Sequence, residues 1–177
     1  ERAWRWDGDE ENPIVRSMGA HSMVTADVDG DGRDEVMLGS CMLDDNGTLL
    51  WSSGLGHSDK AYLCKLHPDR EGMQVFMVSE PKKEDGRGVS VVDAATGKLI
   101  WSIGHTTYHV GDGMVTDFDP AHPGLECFAS EDRKGGSTDR YLLTADGKKL
   151  QVAQDEIPGC RNWIWWDADL LRETFKG

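Results

Sequence analysis

The chain has 177 residues, 38% of them hydrophobic and 29% charged, which suits one globular domain or a section of a larger one. A formal net charge of −13 argues against nucleic acid and anionic membrane surfaces as partners. No apolar stretch is long enough to span a bilayer as a helix, and 21 Gly with 7 Trp favour a turn-rich β protein.

Trp4 and Trp6 alternate with charged residues, which predicts a half-exposed strand. Asp9, Glu10 and Glu11 with Asn12-Pro13 predict a loop. From His21 a pattern begins that then repeats. The first copy predicts strands near 22–28 and 35–43, a hairpin turn at Asp45-Asn46-Gly47 and a third strand at Leu49-Leu50-Trp51. The second predicts strands near 60–66, 74–78 and 88–92, a turn at Asp93–Lys98, and a closing Leu99-Ile100-Trp101. The third predicts strands near 113–118 and 126–129, then Tyr141-Leu142-Leu143, the turn Ala145-Asp146-Gly147 and Leu150. A fourth begins at Asn162-Trp163-Ile164-Trp165-Trp166 with Asp167-Ala168-Asp169.

The period is roughly 40–50 residues with several short strands per unit, the pattern of β-propeller blades. The expected fold is therefore all-β, a partial propeller of about three and a half blades, near 21–51, 57–101, 109–150 and 160–177. An open arc of this kind leaves edge strands unpaired, so the chain reads as a fragment of a larger protein, or as one part of a nicked or split one. Cys41, Cys64, Cys127 and Cys160 match no zinc signature or small disulfide scaffold and read mostly as buried free thiols, with one disulfide left open.

The densest feature is Asp27-Val28-Asp29-Gly30-Asp31-Gly32-Arg33-Asp34-Glu35. Carboxylates this close repel one another unless a cation sits among them. Ca²⁺ takes six to eight oxygens, and the glycines permit the turns such a loop needs. An EF-hand needs an acid at loop position 12, where this chain has Leu38. A shorter inter-strand Ca²⁺ loop fits better, with Asp27, Asp29, Asp31 and Glu35 as side-chain ligands and the Arg33 carbonyl between them; Asp34 is a second choice for the last acid. Asp117, Asp119 and Glu126 form a second candidate site, and Asp167 and Asp169, with help from Glu173, a third. The second copy carries Lys65, His67 and Gln74 where the others carry acids, so it is expected to be metal-free. Calcium-loaded loops suggest an extracellular or periplasmic setting.

The stretches H-S-M-V-T-A-D-V-D-G-D-G-R-D-E-V, G-L-G-H-S-D, D-A-A-T-G-K-L-I-W, D-F-D-P-A-H-P-G-L-E and W-W-D-A-D-L-L-R-E occur in this order. As an ordered set, running from about His21 to Gly177, they resemble the rhamnogalacturonan lyases of polysaccharide lyase family 11. The resemblance implies a section of an eight-bladed, Ca²⁺-binding propeller whose missing blades are its partners. It also implies a pectic substrate, with the rhamnose–galacturonate backbone cleaved by β-elimination. That chemistry removes the C5 proton of galacturonate, next to a carboxylate whose charge resists its loss. A cation on the carboxylate, a base on the correct face and help for the departing O4 are therefore expected.

His21 and His57 stand where strands are entered from loops at one end of the units, which makes them the expected catalytic residues. Asp59, Asp112 and Arg133 are candidates for substrate contact. His67, His105, His109 and His122 read as structural. The rival reading is a non-catalytic, Ca²⁺-stabilised piece that binds carbohydrate or a protein partner.

Overall fold

The computed structural model describes residues 3–10, 15–21, 23–132 and 134–157, and the backbone of two further short strands, 162–164 and 173–175. The fold is all-β, and every named element is a strand. The first sheet runs β1 (Val24–Ala26), β2 (Glu35–Met37), β3 (Cys41–Leu43) and β4 (Leu49–Ser52), in chain order and antiparallel throughout. The second repeats this with β5 (Ser58–Cys64), β6 (Gln74–Ser79), β7 (Val89–Asp93) and β8 (Leu99–Ser102). The third pairs β9 (Val110–Thr116), β10 (Glu126–Glu131) and β11 (Arg140–Leu143). A two-stranded pair, β12 (Asn162–Ile164) and β13 (Glu173–Phe175), follows. Each sheet is thus one contiguous stretch of chain, its consecutive strands joined by hairpin loops.

The second sheet is the middle layer. Every residue of β6 is buried, because its two faces serve different cores. Val75 and Met77 pack with Met37, Met42 and Trp51 of the first sheet. Phe76 and Val78 pack with Val110, Val115, Cys127 and Ala129 of the third. An unbroken apolar run is what a strand covered on both sides requires.

Trp4 and Trp6 lie in no strand, against the expectation from their alternation. Trp4 instead docks on the first sheet, and its indole Nε1 donates to the Asp45 carbonyl at 2.7 Å. Trp51 does the same to Ala94 of the second sheet at 2.8 Å, and Trp101 to Ala145 beyond the third at 2.8 Å. The ring of each also lies on a hairpin glycine: Trp4 on Gly47, Trp51 on Gly97, Trp101 on Gly147. Among the described cysteines, Cys41 and Cys127 are buried free thiols and Cys64 is half-buried. Burial pushes the Cys41 thiol up to about 11.

Candidate functional site

An isolated parallel bridge from Ala20 to Ser58 ties the loop before the first sheet to the start of β5. It sets His21 beside Asp59, with Nε2 3.2 Å from Oδ1. His57 completes the group: its Nε2 lies 3.4 Å from His21 Nε2 and 3.5 Å from Asp59 Oδ1. The other ring nitrogen of His57 is 2.6 Å from the Gly19 carbonyl. A carbonyl only accepts, so Nδ1 carries the proton, and in the neutral ring the Nε2 lone pair faces the cluster. A backbone carbonyl that fixes the tautomer in this way is the usual support of a metal-binding histidine. Ligand atoms of His21, His57 and Asp59 all lie within 4.8 Å of one another, close enough to share one cation.

Two further groups join. Glu80 Oε2 lies 3.7 Å from His57 Nε2, and Glu80 Oε1 lies 3.1 Å from His109 Nε2. His109 also stands 3.6 Å from Asp59 Oδ2 and 3.2 Å, through Nδ1, from Asp132 Oδ2. His109 is therefore no isolated structural histidine, as its sequence context suggested; it lies among three carboxylates. A β-bulge made this unreadable from spacing. The register of β10 against β9 shifts so that Ser130 faces Asp112 and Glu131 faces Val110, leaving Gly111 as the extra residue. A Cβ on Gly111 would come within 3.2 Å of the His109 ring and 3.3 Å of Asp132, so any larger residue there would push both back by a few tenths of an ångström. Behind them Glu131 accepts hydrogen bonds from Tyr108 N at 3.1 Å and the Tyr141 hydroxyl at 2.6 Å, anchoring the segment that carries His109. Burial, then the Glu131 contact, pushes the Tyr141 hydroxyl well above its ordinary value.

His21, Asp59, His109 and Asp132 of this cluster border a groove of about 290 Å³ that Lys60, Gly111, Asp112 and Lys134 also line. The structure thus brings together His21, His57, Asp59 and Asp112 at one end of adjacent sheets. Arg133, Asp167 and Asp169 lie outside the described residues.

The acidic loop forms a separate group. Ligand oxygens of Asp27, Asp29 and Glu35 lie within 4.8 Å of one another. Asp27 also accepts from Gly30 N at 2.7 Å and Gly32 N at 3.0 Å, which winds the loop around its carboxylate. Asp31 turns away from this group to Arg33, at 2.9 Å, and Arg33 reaches on to Asp45, also at 2.9 Å. The β2–β3 register brings Asp44 and Asp45 next to Glu35, an acidic group that spacing alone did not reveal. Burial raises the Glu35 carboxyl above its ordinary range. Asp34 is exposed and belongs to neither group.

In the third sheet Glu126 accepts from Phe118 N at 2.8 Å and Asp119 N at 2.9 Å. Asp119 also meets His122 at 3.1 Å. Glu126 is fully buried, and burial raises its carboxyl too. One oxygen each of Glu35, Asp117 and Glu126 is buried without a hydrogen-bond partner. Such orphaned carboxylate oxygens are costly unless something positive meets them. The corresponding loop of the second sheet has no such orphan. Gln74 Oε1 accepts from Leu66 N and His67 N at 2.9 and 3.1 Å, and its Nε2 donates to Gly72 O at 3.0 Å. Lys65 Nζ donates to the same carbonyl at 3.3 Å.

Comparison with known proteins agrees with this architecture. The model of the rhamnogalacturonan lyase family 11 C-terminal domain matches residues 1–177. The chain is 40% identical over 174 residues to the rhamnogalacturonan endolyase YesW of Bacillus subtilis, covering 97% of this chain and 26% of that protein. It is 38% identical over 173 residues to the rhamnogalacturonan exolyase YesX of the same organism, covering 96% of this chain and 28% of that protein. The crystal structure of YesX superposes with a TM-score of 0.86 at 36% identity, over 98% of this chain and 28% of that one. A Bacillus licheniformis rhamnogalacturonan lyase structure gives 0.83 at 38% identity, over 99% of this chain and 28% of that one. The chain thus spans just over a quarter of the length of these relatives. A full-length match to the family model, with like-folded relatives at this identity, means that the chain belongs to the rhamnogalacturonan lyase family 11 C-terminal domain.

Proposed function

We propose that this chain forms part of the catalytic β-propeller of a secreted, Ca²⁺-dependent rhamnogalacturonan lyase, and that the His21–His57–Asp59 cluster lies in its cleft. The convergence of two imidazoles and a buried carboxylate, with Glu80 and His109 behind them, carries this reading. β-Elimination takes the proton from C5 of galacturonate, forms the C4–C5 double bond and breaks the C4–O4 bond, so that O4 leaves with the rhamnose. A calcium ion bound at the cluster would supply positive charge to the uronate carboxylate as the C5 proton departs. His57 presents Nε2 because Gly19 holds its Nδ1 proton, and Asp59 orients His21. Glu80 holds His109 through Nε2, and Asp132 stands within ion-pair distance of its Nδ1.

The Asp27–Asp29–Glu35 group and the loop of Asp117, Asp119 and Glu126 fit further Ca²⁺ ions that tie strands together, with the orphaned oxygens as support. The test is product absorbance from rhamnogalacturonan in the full-length protein, with and without chelator. Activity lost in chelator and restored by Ca²⁺, with His57→Ala on the order of a hundredfold slower, is the expected result. Oligosaccharide binding with no unsaturated product would favour the rival reading, a Ca²⁺-stabilised carbohydrate-binding piece.

A further inference from the structure

Consecutive residues of a regular strand point to opposite faces. β5 breaks this rule at its start. Ser58 pairs with Ser79 and Lys60 with Val78, so Asp59 is the extra residue of a β-bulge. Bulges re-aim side chains next to binding sites. Here the result is that Asp59 and Lys60, adjacent in sequence, both line the 290 Å³ groove.

Beyond the bulge the alternation is regular, and it assigns Lys60 a side. Ala61 and Leu63 pack in the core shared with the first sheet. Tyr62 and Cys64 pack in the core shared with the third. Lys60 has the parity of Tyr62, so it belongs to the face turned toward β9. The Tyr62 hydroxyl donates to the Gly113 carbonyl at 3.0 Å, which fixes β5 against β9 one layer below Lys60. Gly111 and Asp112 of β9 line the groove opposite.

Lys60 is half-buried, yet among the described residues no carboxylate lies within ion-pair distance of it. The acids nearby are engaged elsewhere: Asp59 with His21, His57 and His109, and Asp132 with His109. A chain with 32 acidic against 19 basic residues has no shortage of carboxylates to offer, so an unpaired lysine in an acid-lined groove calls for an external partner.

We propose that Lys60 reads the carboxylate of a uronate residue of the substrate, adjacent to the imidazole–carboxylate cluster. This deepens the substrate class proposed above and rests on it. Lysine is suited to the role as a mobile point charge with three donors. The groove is lined by Asp59, Asp112 and Asp132 and also by Lys134; Lys60, on the β5 side beside the cluster, supplies a positive charge that an acidic sugar needs and a neutral one does not.

The test uses the full-length protein and two probes, a rhamnogalacturonan oligosaccharide and the same oligosaccharide with its carboxyl groups reduced. Lys60→Met and Lys60→Arg are measured by calorimetric titration and by steady-state kinetics. Lys60→Met should weaken binding of the acidic oligosaccharide on the order of tenfold or more and leave the reduced one unchanged. KM should rise with little change in kcat, and Lys60→Arg should recover most of the loss. Melting temperatures near wild type establish that the fold is intact. Equal weakening of both probes, or of neither, would overturn the assignment. A wild-type protein that binds the acidic probe without cleaving it would defeat the lyase reading and leave Lys60 standing. A wild type that cleaves while Lys60→Met binds normally would do the reverse, and binding of neither probe by the wild type would overturn both.

Discussion

Gln74 makes with an amide the backbone hydrogen bonds that Glu35 and Glu126 make with carboxylates. The amide has a second donor to give Gly72, whereas each acid leaves one oxygen buried and unmet. Glu126→Gln should therefore stabilise the protein in chelator, by about 1–3 kcal/mol or a few degrees, while blunting its gain in melting temperature on adding Ca²⁺. A variant less stable in both conditions would show that the carboxylate is needed for packing alone. Asp29→Ala should lower the melting temperature in Ca²⁺ and change little in chelator; equal loss in both would argue against a cation there. The pH dependence follows from the same burial. Glu35 and Glu126 bind the proton more tightly folded than unfolded, so their contribution is full below the unfolded carboxyl range, near 4.3, and is lost as pH rises through the folded values. In chelator the melting temperature should rise on acidification from neutral toward about pH 5, and a falling trend would contradict this. Part of this group was legible: the D-x-D-x-D-G spacing marks Asp27 and Asp29, together with Asp31, which turns to Arg33 instead, and Glu35 is the acid expected to close the loop. Asp44 and Asp45 were not, because only the β2–β3 register brings them beside Glu35.

At the scale of elements, the turn phrases that close the hairpins have a role that the chain order does not disclose. They are sockets. Trp51 reaches 43 residues ahead to the Ala94 carbonyl, and Trp101 reaches 44 ahead to Ala145. Their rings lie on Gly97 and Gly147, both with left-handed φ, at 67° and 78°. The repeat of tryptophan and glycine was visible in sequence, but not that each tryptophan serves the following hairpin. Strand alternation also misled at Trp4, whose socket is the first hairpin rather than a strand partner. A Cβ on Gly97 would lie 2.6 Å from the Trp51 ring. Gly97→Ala therefore meets both a clash and an unfavourable φ, and should destabilise by about 2–4 kcal/mol. Gly54→Ala, with φ of 70° and open space around it, bears the φ cost alone and should lose less, about 1 kcal/mol. Chemical denaturation of the pair separates packing from backbone strain, and equal losses would mean that the indole contact contributes nothing. The two bulges at Asp59 and Gly111 belong to the same scale. Each displaces strand register by one residue, and that is why the position of His109 in the cluster escaped a reading based on spacing.

For the whole molecule, the sheets differ in how completely they are served. The middle sheet has neighbours on both faces, and β6 is buried throughout. The first sheet turns Val24, Ala26, Met37 and Met42 to that neighbour. Thr25 and Val36 face the other way; Thr25 is exposed and Val36 half-buried, while Leu50 on the outer strand is 38% exposed and Met23 just before β1 is 65% exposed. An apolar, incompletely covered face with strand edges invites association. The relatives that match this chain are about four times as long, so under the proposed function the rest of the protein supplies that cover and the other side of the cleft. The 177-residue chain on its own is therefore expected to self-associate and to release no unsaturated product from rhamnogalacturonan. Mixing it with the remainder of the protein should restore both a defined complex and lyase activity. Light scattering and product absorbance, taken on the chain alone and on the mixture, decide the matter. Turnover by a monomeric isolated chain would mean that the groove between His21 and Lys60 is a complete active site and that the uncovered sheet face needs no partner.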